Sequence, residues 1–459
     1  MKKTVVINIV GLTERLIGTH TPNIVTFLNQ GQLTYIKPVV PAVTCTAQST
    51  YLTGKWPSEH GIVGNGWYFK EECEVKFWRQ SNKLVQSEKI WDELKALDKD
   101  FTCANLFWWY NMYSSADYGV TPRPNYLADG RKIPDIYSYP ANLRNHLQEE
   151  LGTFPLFKFW GPMTSIASSK WIADAAVLTD QKYDPTLSLI YLPHLDYNLQ
   201  RYGNDLKIID KDLKEIDTVV GELITYYKNK DSNIILLSEY GITDVDLPIH
   251  INRILRKEGY LAIREERGLE LLDAGMSTAF GVADHQIAHI YLNDPSVQNK
   301  IKNLFLNTKG VQAVLTGEEI KTYHLDHDRC GDLVVIAAQN AWFTYYFWED
   351  DKKAPDFARM VDIHKKPGYD PVEMLLNAND LFVKPKILLK LLKKKLGFRT
   401  VMNVIPLDAN LIKGSHGTVP TSPLDYPVLI SDHLTIKDAK NTVEAIEVYR
   451  IIKDQVISS

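Results

Sequence analysis

The sequence predicts an α/β protein built on a doubly wound, mostly parallel sheet with helices on both faces. Three apolar runs, Thr4–Val10, Thr186–Leu192 and Asn233–Leu237, have the pattern of central strands that are covered on both sides. A long amphipathic pattern, Lys207–Lys228, lies between the last two runs. Strand, helix and strand in this order are typical of a parallel sheet with crossover helices.

The other elements of this core follow in chain order. Helices are predicted at Pro22–Asn29, Thr44–Thr53, Lys89–Leu97, Asn142–Leu151 and Ser169–Leu178, and a further strand at Thr102–Trp109. The segment 113–160 is rich in Pro, Tyr and Asp, and we interpret it as an excursion over the top of the sheet. Since α/β proteins place their binding loops there, this segment is expected to contact a ligand.

The pattern changes between residues 245 and 345. Short strands alternate there with helices at small spacing, in the segments 249–258, 286–292, 295–306, 311–316 and 332–338. A chain of 459 residues also exceeds the usual size of one domain. We therefore expect an α/β core formed by residues 1–244 and 346–459, with an inserted α+β cap at 245–345.

Composition and charge narrow the class of protein. The net charge of −4 gives no reason to expect a nucleic-acid partner. The apolar run after Met1 is interrupted by Asn8 and Gly11 and lacks a small-residue cleavage site, which favours a buried strand over a signal peptide. No segment reaches the length of a transmembrane helix. The scattered cysteines indicate free thiols in a reducing compartment, and hence a cytoplasmic protein: Cys45, Cys73, Cys103 and Cys330.

A threonine at the start of a predicted helix is the most informative residue. Thr44 follows the proline-broken segment Pro41-Ala42-Val43, and Gly54 closes the helix that it begins. As an N-cap, such a hydroxyl accepts a backbone N–H bond that contributes about 1 kcal/mol. As a nucleophile, it lies where free N–H groups and the helix dipole stabilise an anion. The residues alone leave both roles open.

Three motifs of this region resemble the nucleotide pyrophosphatase/phosphodiesterase branch of the alkaline phosphatase superfamily. They are Pro-x-x-Thr ending at Thr44, Leu-Thr-Gly ending at Gly54, and Pro-x-x-His-Gly-Ile-Val-Gly-Asn ending at Asn65. The resemblance implies an alkaline phosphatase-like fold, with Thr44 as the nucleophile and Asn65 as a donor to the transferred phosphoryl group. The alternative for Asn65 is a turn residue between two glycines.

The resemblance also implies metal ligands, of which two are in place. Asp196 fits one ligand position, with Gly203 seven residues later as in the family. His416, in Lys413-Gly414-Ser415-His416-Gly417, fits the late histidine that returns to the same metal. We therefore predict one divalent ion such as Zn²⁺, bound by Asp196, His416 and Glu239.

Four other ligand positions of the family are altered. Val10 stands where an aspartate ends the first strand, and Gln200 replaces the histidine four residues after Asp196. In Ser238-Glu239-Tyr240-Gly241, the family has Ser-Asp-His-Gly. A phenol stays protonated at neutral pH and is a weak metal ligand, so a second ion would have at most Glu239 and Thr44. Tyr240 and Gln200 are predicted to contact the substrate instead.

Further polar residues could compensate for the altered metal ligands. For each of them, however, a hydrogen bond without a functional role is the simpler interpretation. His194 lies two residues before Asp196, on what reads as an extended segment, and could supply the missing nitrogen. Asp362 and His364 are the preferred pair, two apart on a predicted strand. The remaining candidates are Asp284, His285, His324, Asp326 and His327. Aromatic clusters at 107–110, 157–160 and 342–348 suit a ring-containing ligand as well as core packing.

One strongly basic stretch, Lys384–Arg399, places four leucines on one helical face: Leu388, Leu391, Leu392 and Leu396. A surface helix packed by its leucines is the favoured interpretation, and contact with a membrane surface or anionic lipid is the alternative.

The leading hypothesis is a phosphodiesterase or pyrophosphatase-like hydrolase that acts on a small-molecule phosphate ester or diphosphate. Thr44 would attack phosphorus, and Glu239 would serve as ligand or base. Because Val10 and Tyr240 remove metal ligands, the alternative is a catalytically weak or inactive member that binds a phosphorylated or prenylated intermediate or scaffolds other enzymes. A third hypothesis is action on another ester, such as a sulfate or phosphonate, since the same fold supports it.

Overall fold

The computed structural model describes residues 1–377, 382–398, 400–434 and 442–457. Its centre is a nine-stranded sheet in the spatial order β13-β2-β12-β7-β1-β6-β3-β4-β5. In chain order these strands are β1 (Thr4–Ile9), β2 (Gln32–Lys37), β3 (Cys103–Leu106), β4 (Tyr118–Pro122), β5 (Ile136–Tyr139), β6 (Leu187–Leu192), β7 (Asn233–Leu237), β12 (Val428–Ser431) and β13 (Thr442–Glu444). The central strands β7, β1, β6, β3 and β4 run parallel to their neighbours within this group, while β12 and β5 are antiparallel to theirs. The predicted mostly parallel α/β sheet is confirmed.

The principal helices of the described chain are α1 (Pro22–Leu28), α2 (Thr44–Thr53), α3 (Ile90–Leu97), α4 (Ala141–Leu151), α5 (Ile166–Tyr183), α6 (His194–Tyr202), α7 (Leu206–Lys228), α8 (Ile251–Lys257), α9 (Gln298–Leu306), α10 (Val383–Lys395) and α11 (Glu447–Ile457). The apolar sides of α5 and α7 pack against the central strands and one another. Among the described residues, no helix combines the length and the apolar character that crossing a membrane requires. The cytoplasmic location stays a prediction.

A second, four-stranded antiparallel sheet lies within the predicted cap. It has the order β8-β9-β11-β10, with β8 (Ala279–Asp284), β9 (Ile287–Leu292), β10 (Val311–Thr316) and β11 (Leu333–Ala337). These strands contribute to a second hydrophobic cluster that extends along the chain to Ile412, beyond the predicted cap boundary. Short ribbons complete the fold: Gly66–Phe69 with Glu74–Phe77, Asn125–Tyr126 with Lys132–Ile133, Thr243–Asp244 with Gly414–Ser415, Leu247–Ile249 with Ala341–Phe343, and Ala262–Glu266 with Leu269–Asp273.

Two local predictions are wrong for identifiable reasons. The strand predicted at Thr102–Trp109 ends at Leu106, because Phe107 takes a φ of 69° and turns the chain out of the sheet. The segment that carries Asp362 and His364 is a loop rather than a strand. The two side chains therefore do not share a strand face.

The leucines of α10 are not packed against the described chain as expected. Leu388 is 70% exposed and Leu396 is 66% exposed, and Leu391 and Leu392 are also exposed. Arg399, the end of the predicted basic stretch, lies outside the described residues.

Candidate functional site

The polar residues of the site follow neighbouring parallel strands. β1 lies between β6 and β7, with Ile9 opposite Leu192 and Asn8 opposite Leu237. Asp196 therefore comes just after β6, and Glu239 and Tyr240 just after β7, at one edge of the sheet. The carboxyl edge is where open α/β sheets bind their ligands.

Thr44 begins α2 and is connected to Asp196 through Tyr240. The Thr44 hydroxyl lies 3.1 Å from the Tyr240 phenol oxygen. That phenol donates to Asp196 Oδ1 at 3.2 Å, and Gln200 Nε2 donates to Asp196 Oδ2 at 2.9 Å. Gln200 Oε1 in turn accepts from the Tyr369 hydroxyl at 2.9 Å. Four of the residues singled out in the sequence thus form one hydrogen-bonded chain with Tyr369, which the sequence did not indicate.

His416 reaches the same place from the far end of the chain. Its Nε2 lies 3.9 Å from Asp196 Oδ1, and its Nδ1 is 2.7 Å from the Ala42 carbonyl oxygen. The Tyr240 ring stacks on the imidazole with ring centroids 3.6 Å apart and 6° between the planes. The His285 ring also lies against the His416 imidazole, with the two ring centroids 3.7 Å apart. The late histidine and the mid-chain carboxylate therefore do converge.

Asn65 is held by its neighbours at the start of α2. Its Oδ1 accepts from the Cys45 backbone N–H at 3.0 Å, and its Nδ2 donates to Asp284 Oδ1 at 3.1 Å. Asp284 Oδ2 also accepts from the Asn65 backbone N–H at 2.7 Å, and Asp284 Oδ1 lies 2.8 Å from His285 Nδ1. The side chain thus positions the N-terminus of α2 beside the predicted nucleophile, and one amide hydrogen of Nδ2 is left to donate elsewhere.

Glu239 is fully buried and accepts hydrogen bonds from two residues that the sequence analysis missed. Its Oε1 accepts from Asn8 Nδ2 at 2.6 Å and from Gln48 Nε2. The available signal was the position of these two residues, since Asn8 interrupts an apolar strand and Gln48 lies in a helix that is buried all round. The other oxygen, Oε2, accepts no hydrogen bond from a described residue.

Burial sets the protonation of these groups. Desolvation raises the pKa of Glu239 to about 8, while the hydrogen bonds from Gln48 and Asn8 lower it. It raises the pKa of Asp196 to about 7 and that of Asp284 to about 6. Burial lowers the pKa of the His416 imidazole well below its usual value. The site therefore holds carboxyl groups that change charge near neutral pH beside a neutral imidazole.

A pocket connects this polar group with the protein surface. Thr44, Asp196 and Tyr240 line its buried part, and Phe157, Met163 and Tyr126, which are exposed, line its mouth. The walls between them are largely aromatic and apolar, and include Trp78, Trp109, Phe159 and Trp160. Such a pocket suits a ligand with an apolar or ring-bearing part.

Comparison with known protein families gives one match that covers most of the chain. Residues 4–370 match the family model described as type I phosphodiesterase / nucleotide pyrophosphatase. The chain belongs to this family. Over 245 residues it is 26% identical to an uncharacterized pyrophosphatase/phosphodiesterase of Schizosaccharomyces pombe, which covers 51% of this chain and 42% of the relative. Over 321 residues it is 24% identical to ectonucleotide pyrophosphatase/phosphodiesterase 2 of Saccharomyces cerevisiae, covering 65% of this chain and 56% of that protein. The matches thus span about half the length of these curated relatives.

Solved structures of two proteins share the fold. Murine ectonucleotide pyrophosphatase/phosphodiesterase 5 superposes with a TM-score of 0.60 over 99% of this chain and 95% of that one, at 13% identity. Phosphonoacetate hydrolase of Sinorhizobium meliloti superposes with a TM-score of 0.64 over 99% and 96%, also at 13% identity. The alkaline phosphatase-like architecture of the type I phosphodiesterase family is therefore shown for this chain.

The two-ion centre expected of the family does not fit the residues at Thr44. Val10 offers no lone pair, and the hydroxyl of Tyr240 is engaged with Thr44 and Asp196. Asp196 and His416 present two ligand atoms 3.9 Å apart, whereas zinc sites have three or four protein ligands. Among the described residues, Glu239 does not join them in a group whose ligand atoms all lie within 4.8 Å of one another. The metal roles given to these residues stay predictions.

His194 does not supply the missing nitrogen. It was expected on an extended segment beside Asp196, but both residues lie in the first turn of α6, where a spacing of two puts side chains on different faces. The His194 Nε2 atom lies 3.3 Å from carboxylate oxygens of Asp212 and Glu215 on α7. Asp284 and His285 do join the site, and His364 lines the pocket. His324 stacks on Trp56 instead.

Proposed function

We propose that this chain is a phosphodiesterase or pyrophosphatase-like hydrolase of a small-molecule phosphate ester or diphosphate, with Thr44 as the nucleophile. The observation that carries the proposal is the position of Thr44, whose hydroxyl lies in the buried part of a pocket at the first residue of a helix. A helix N-terminus favours the negative charge of a phosphoryl group. A solved structure of the murine relative, described as an inactive threonine-to-alanine variant in complex with AMP, supports the same chemistry there.

The chain's own residues supply the proton transfers. Glu239 and Tyr240 are adjacent just after β7, and the Tyr240 hydroxyl contacts that of Thr44. Burial raises the pKa of the Glu239 carboxyl to about 8. In its ionised form, which a pKa of about 8 favours at alkaline pH, the Glu239 carboxylate can take the proton of Thr44 when the oxygen attacks phosphorus. Asp196, whose pKa burial raises to about 7, can give a proton to the leaving oxygen or position it through Tyr240. The Asn65 amide and the α2 N–H groups would meet the phosphoryl charge.

A second candidate is binding without turnover, and one observation favours it. The groups that would contact a phosphoryl group already bond to one another, from Thr44 through Tyr240 and Asp196 to Gln200. Phosphoryl transfer depends on charge stabilisation, which metal ions usually supply. The ligand in this case is the phosphorylated or prenylated intermediate expected from the sequence, held by the aromatic walls.

Hydrolysis of bis(p-nitrophenyl) phosphate separates the two candidates. The assay compares the wild type with Thr44→Ala, with and without added Zn²⁺ or Mn²⁺, and uses Thr46→Ala as the matched control, because Thr46 is buried in the same helix but does not line the pocket. We expect Thr44→Ala to lose at least 100-fold in rate, about 2.7 kcal/mol, and Thr46→Ala to stay near the wild type. Equal rates for Thr44→Ala and wild type would reject the nucleophile. Calorimetric binding of AMP without hydrolysis would favour the second candidate.

A further inference from the structure

The outward side of α10 is apolar. Besides Leu388 and Leu396, three further leucines of this short segment are more than half exposed: Leu389, Leu391 and Leu392. At 100° per residue these side chains span about 160° of the helix circumference. Phe398 and Val401, just beyond the helix, are exposed as well. Surface helices of globular proteins normally turn such a stripe toward the core.

The opposite side of α10 is less exposed. Among the side chains of this helix that the structure describes, Val383, Ile387 and Lys390 are only partly exposed, and they lie within about 60° of one another on the helix. Lys390 Nζ donates to the Val401 carbonyl oxygen at 2.8 Å and bonds to the side chain of Asn403. These contacts turn the Lys390 side of the helix toward residues 401–403, while the leucines are exposed to solvent.

The segment is also the most basic part of the sequence. Residues 381–407 contain six lysines and Arg399 but no acidic residue, so this segment carries a charge of +7 in a chain whose net charge is −4. Apolar residues on one face with lysines around them are typical of helices that lie in the interface of a membrane with anionic lipids.

The base of the segment is joined to the wall of the pocket. Asn377 N donates to the Val404 carbonyl oxygen, and Ile405 N to the Arg359 carbonyl oxygen, both at 3.1 Å. Val361, two residues after Arg359, lines the pocket. A surface bound by α10 would therefore lie on the same part of the molecule as this wall.

We propose that residues 383–398 dock on an anionic lipid surface, with the exposed leucines of α10 in the apolar layer and exposed lysines such as Lys393 at the lipid phosphates. Charge complementarity selects this occupant. A second copy that presented the same helix would bring a second segment of +7 against the first, and like charges repel. The docking does not depend on turnover at Thr44, so the vesicle experiment and the hydrolysis assay test two independent proposals.

Vesicle co-sedimentation tests the proposal directly. The full chain is mixed with vesicles of phosphatidylcholine alone or with 30% phosphatidylglycerol, at low and high salt. We expect at least tenfold stronger binding to the anionic vesicles, and loss of that difference at high salt, where the charges are screened. Binding that is absent, or equal for the two vesicle types, would overturn the proposal.

Three variants identify the surface. The combination Leu388→Ser, Leu392→Ser and Leu396→Ser, and separately Lys393→Glu, are each expected to weaken binding to anionic vesicles at least tenfold. Leu97→Ser is the matched control, because Leu97 is 60% exposed on another helix, and it should bind like the wild type. Unchanged thermal unfolding shows that the exposed substitutions leave the fold intact. A dimer in sedimentation that depends on the three leucines, with no vesicle binding, would assign the surface to a second copy and overturn the proposal.

Discussion

The buried carboxyl of Glu239 makes the stability of the protein depend on pH in a predictable way. Its folded-state pKa is about 8, against 4.5 for a free glutamate. Below pH 4.5 both the folded and the unfolded chain carry this proton, so its ionisation costs nothing. As the pH rises from 4.5 to 8, the unfolded chain releases the proton while the folded chain retains it, and the free energy of unfolding falls. Above pH 8 the loss is complete.

The substitution Glu239→Gln removes this cost while it retains the hydrogen bonds. An amide oxygen can accept from Asn8 and Gln48 as the carboxyl Oε1 does. One pKa unit corresponds to about 1.4 kcal/mol, so the difference between 4.5 and about 8 gives an upper limit of roughly 5 kcal/mol at pH 9 and less than about 1 kcal/mol at pH 5. The variant should therefore be more stable than the wild type at pH 9 by a few kcal/mol, and nearly equal to it at pH 5.

Urea unfolding at pH 5, 7 and 9 measures this difference from the midpoints. Glu149→Gln is the control, because Glu149 is exposed on α4, and it should change little at any pH. The reasoning is refuted if the Glu239→Gln variant is less stable than the wild type at pH 9, or if the two differ by the same amount at pH 5 and pH 9. The first outcome would mean that the charged carboxylate has a partner in solution, such as a metal ion.

Three further results are expected. Tyr240→Phe keeps the ring stack on His416 but removes the hydroxyl between Thr44 and Asp196, so we expect at least a tenfold fall in the hydrolysis rate and a loss of about 1–3 kcal/mol in stability, measured by parallel kinetics and urea unfolding. Asn65→Ala leaves the Cys45 N–H and Asp284 without their partner and should cost about 1–3 kcal/mol of stability in the same unfolding assay. Dialysis against EDTA should leave the melting temperature unchanged in calorimetry, because Asp196 and His416 present two ligand atoms where zinc sites have three or four. A fall of several degrees that persists in His194→Gln would show that an ion at the Thr44 site contributes to stability, since His194, Asp212 and Glu215 are another group of candidate ligands among the described residues.

The parts of the fold that the sequence predicts well are those that depend on local patterns. The runs at β1, β6 and β7 consist of side chains that only a sheet covered on both faces can bury, so their type and order follow from the residues. The convergence of Asp196 and His416 followed from the resemblance to the family. In contrast, periodicity alone placed the leucines of α10 inward, whereas the structure exposes them.

The hydrogen bonds inside the site could not be predicted from the sequence, because they also depend on tertiary contacts. Tyr369 lies 169 residues from Gln200, and Gln48 lies 191 residues from Glu239 in a helix that is buried all round. Their roles appear only when Gln200 and Glu239 are placed in space. His194 was misplaced because an extended segment was assumed where a helix begins directly after β6.

The altered residues of the site form a consistent set once their contacts are known. Asp196 is a buried carboxyl that needs hydrogen-bond donors, because an unpaired buried charge is costly. Gln200 and Tyr240, which replace two histidines expected of the family, are the two side chains that donate to its oxygens. Glu239 accepts hydrogen bonds from Asn8 and Gln48. Val10, where the family has an aspartate, is buried and uncharged. Gln200 and Tyr240 each remove a ligand that the family would supply and, at the same time, give Asp196 a hydrogen-bond donor, so these two substitutions are consistent with one another.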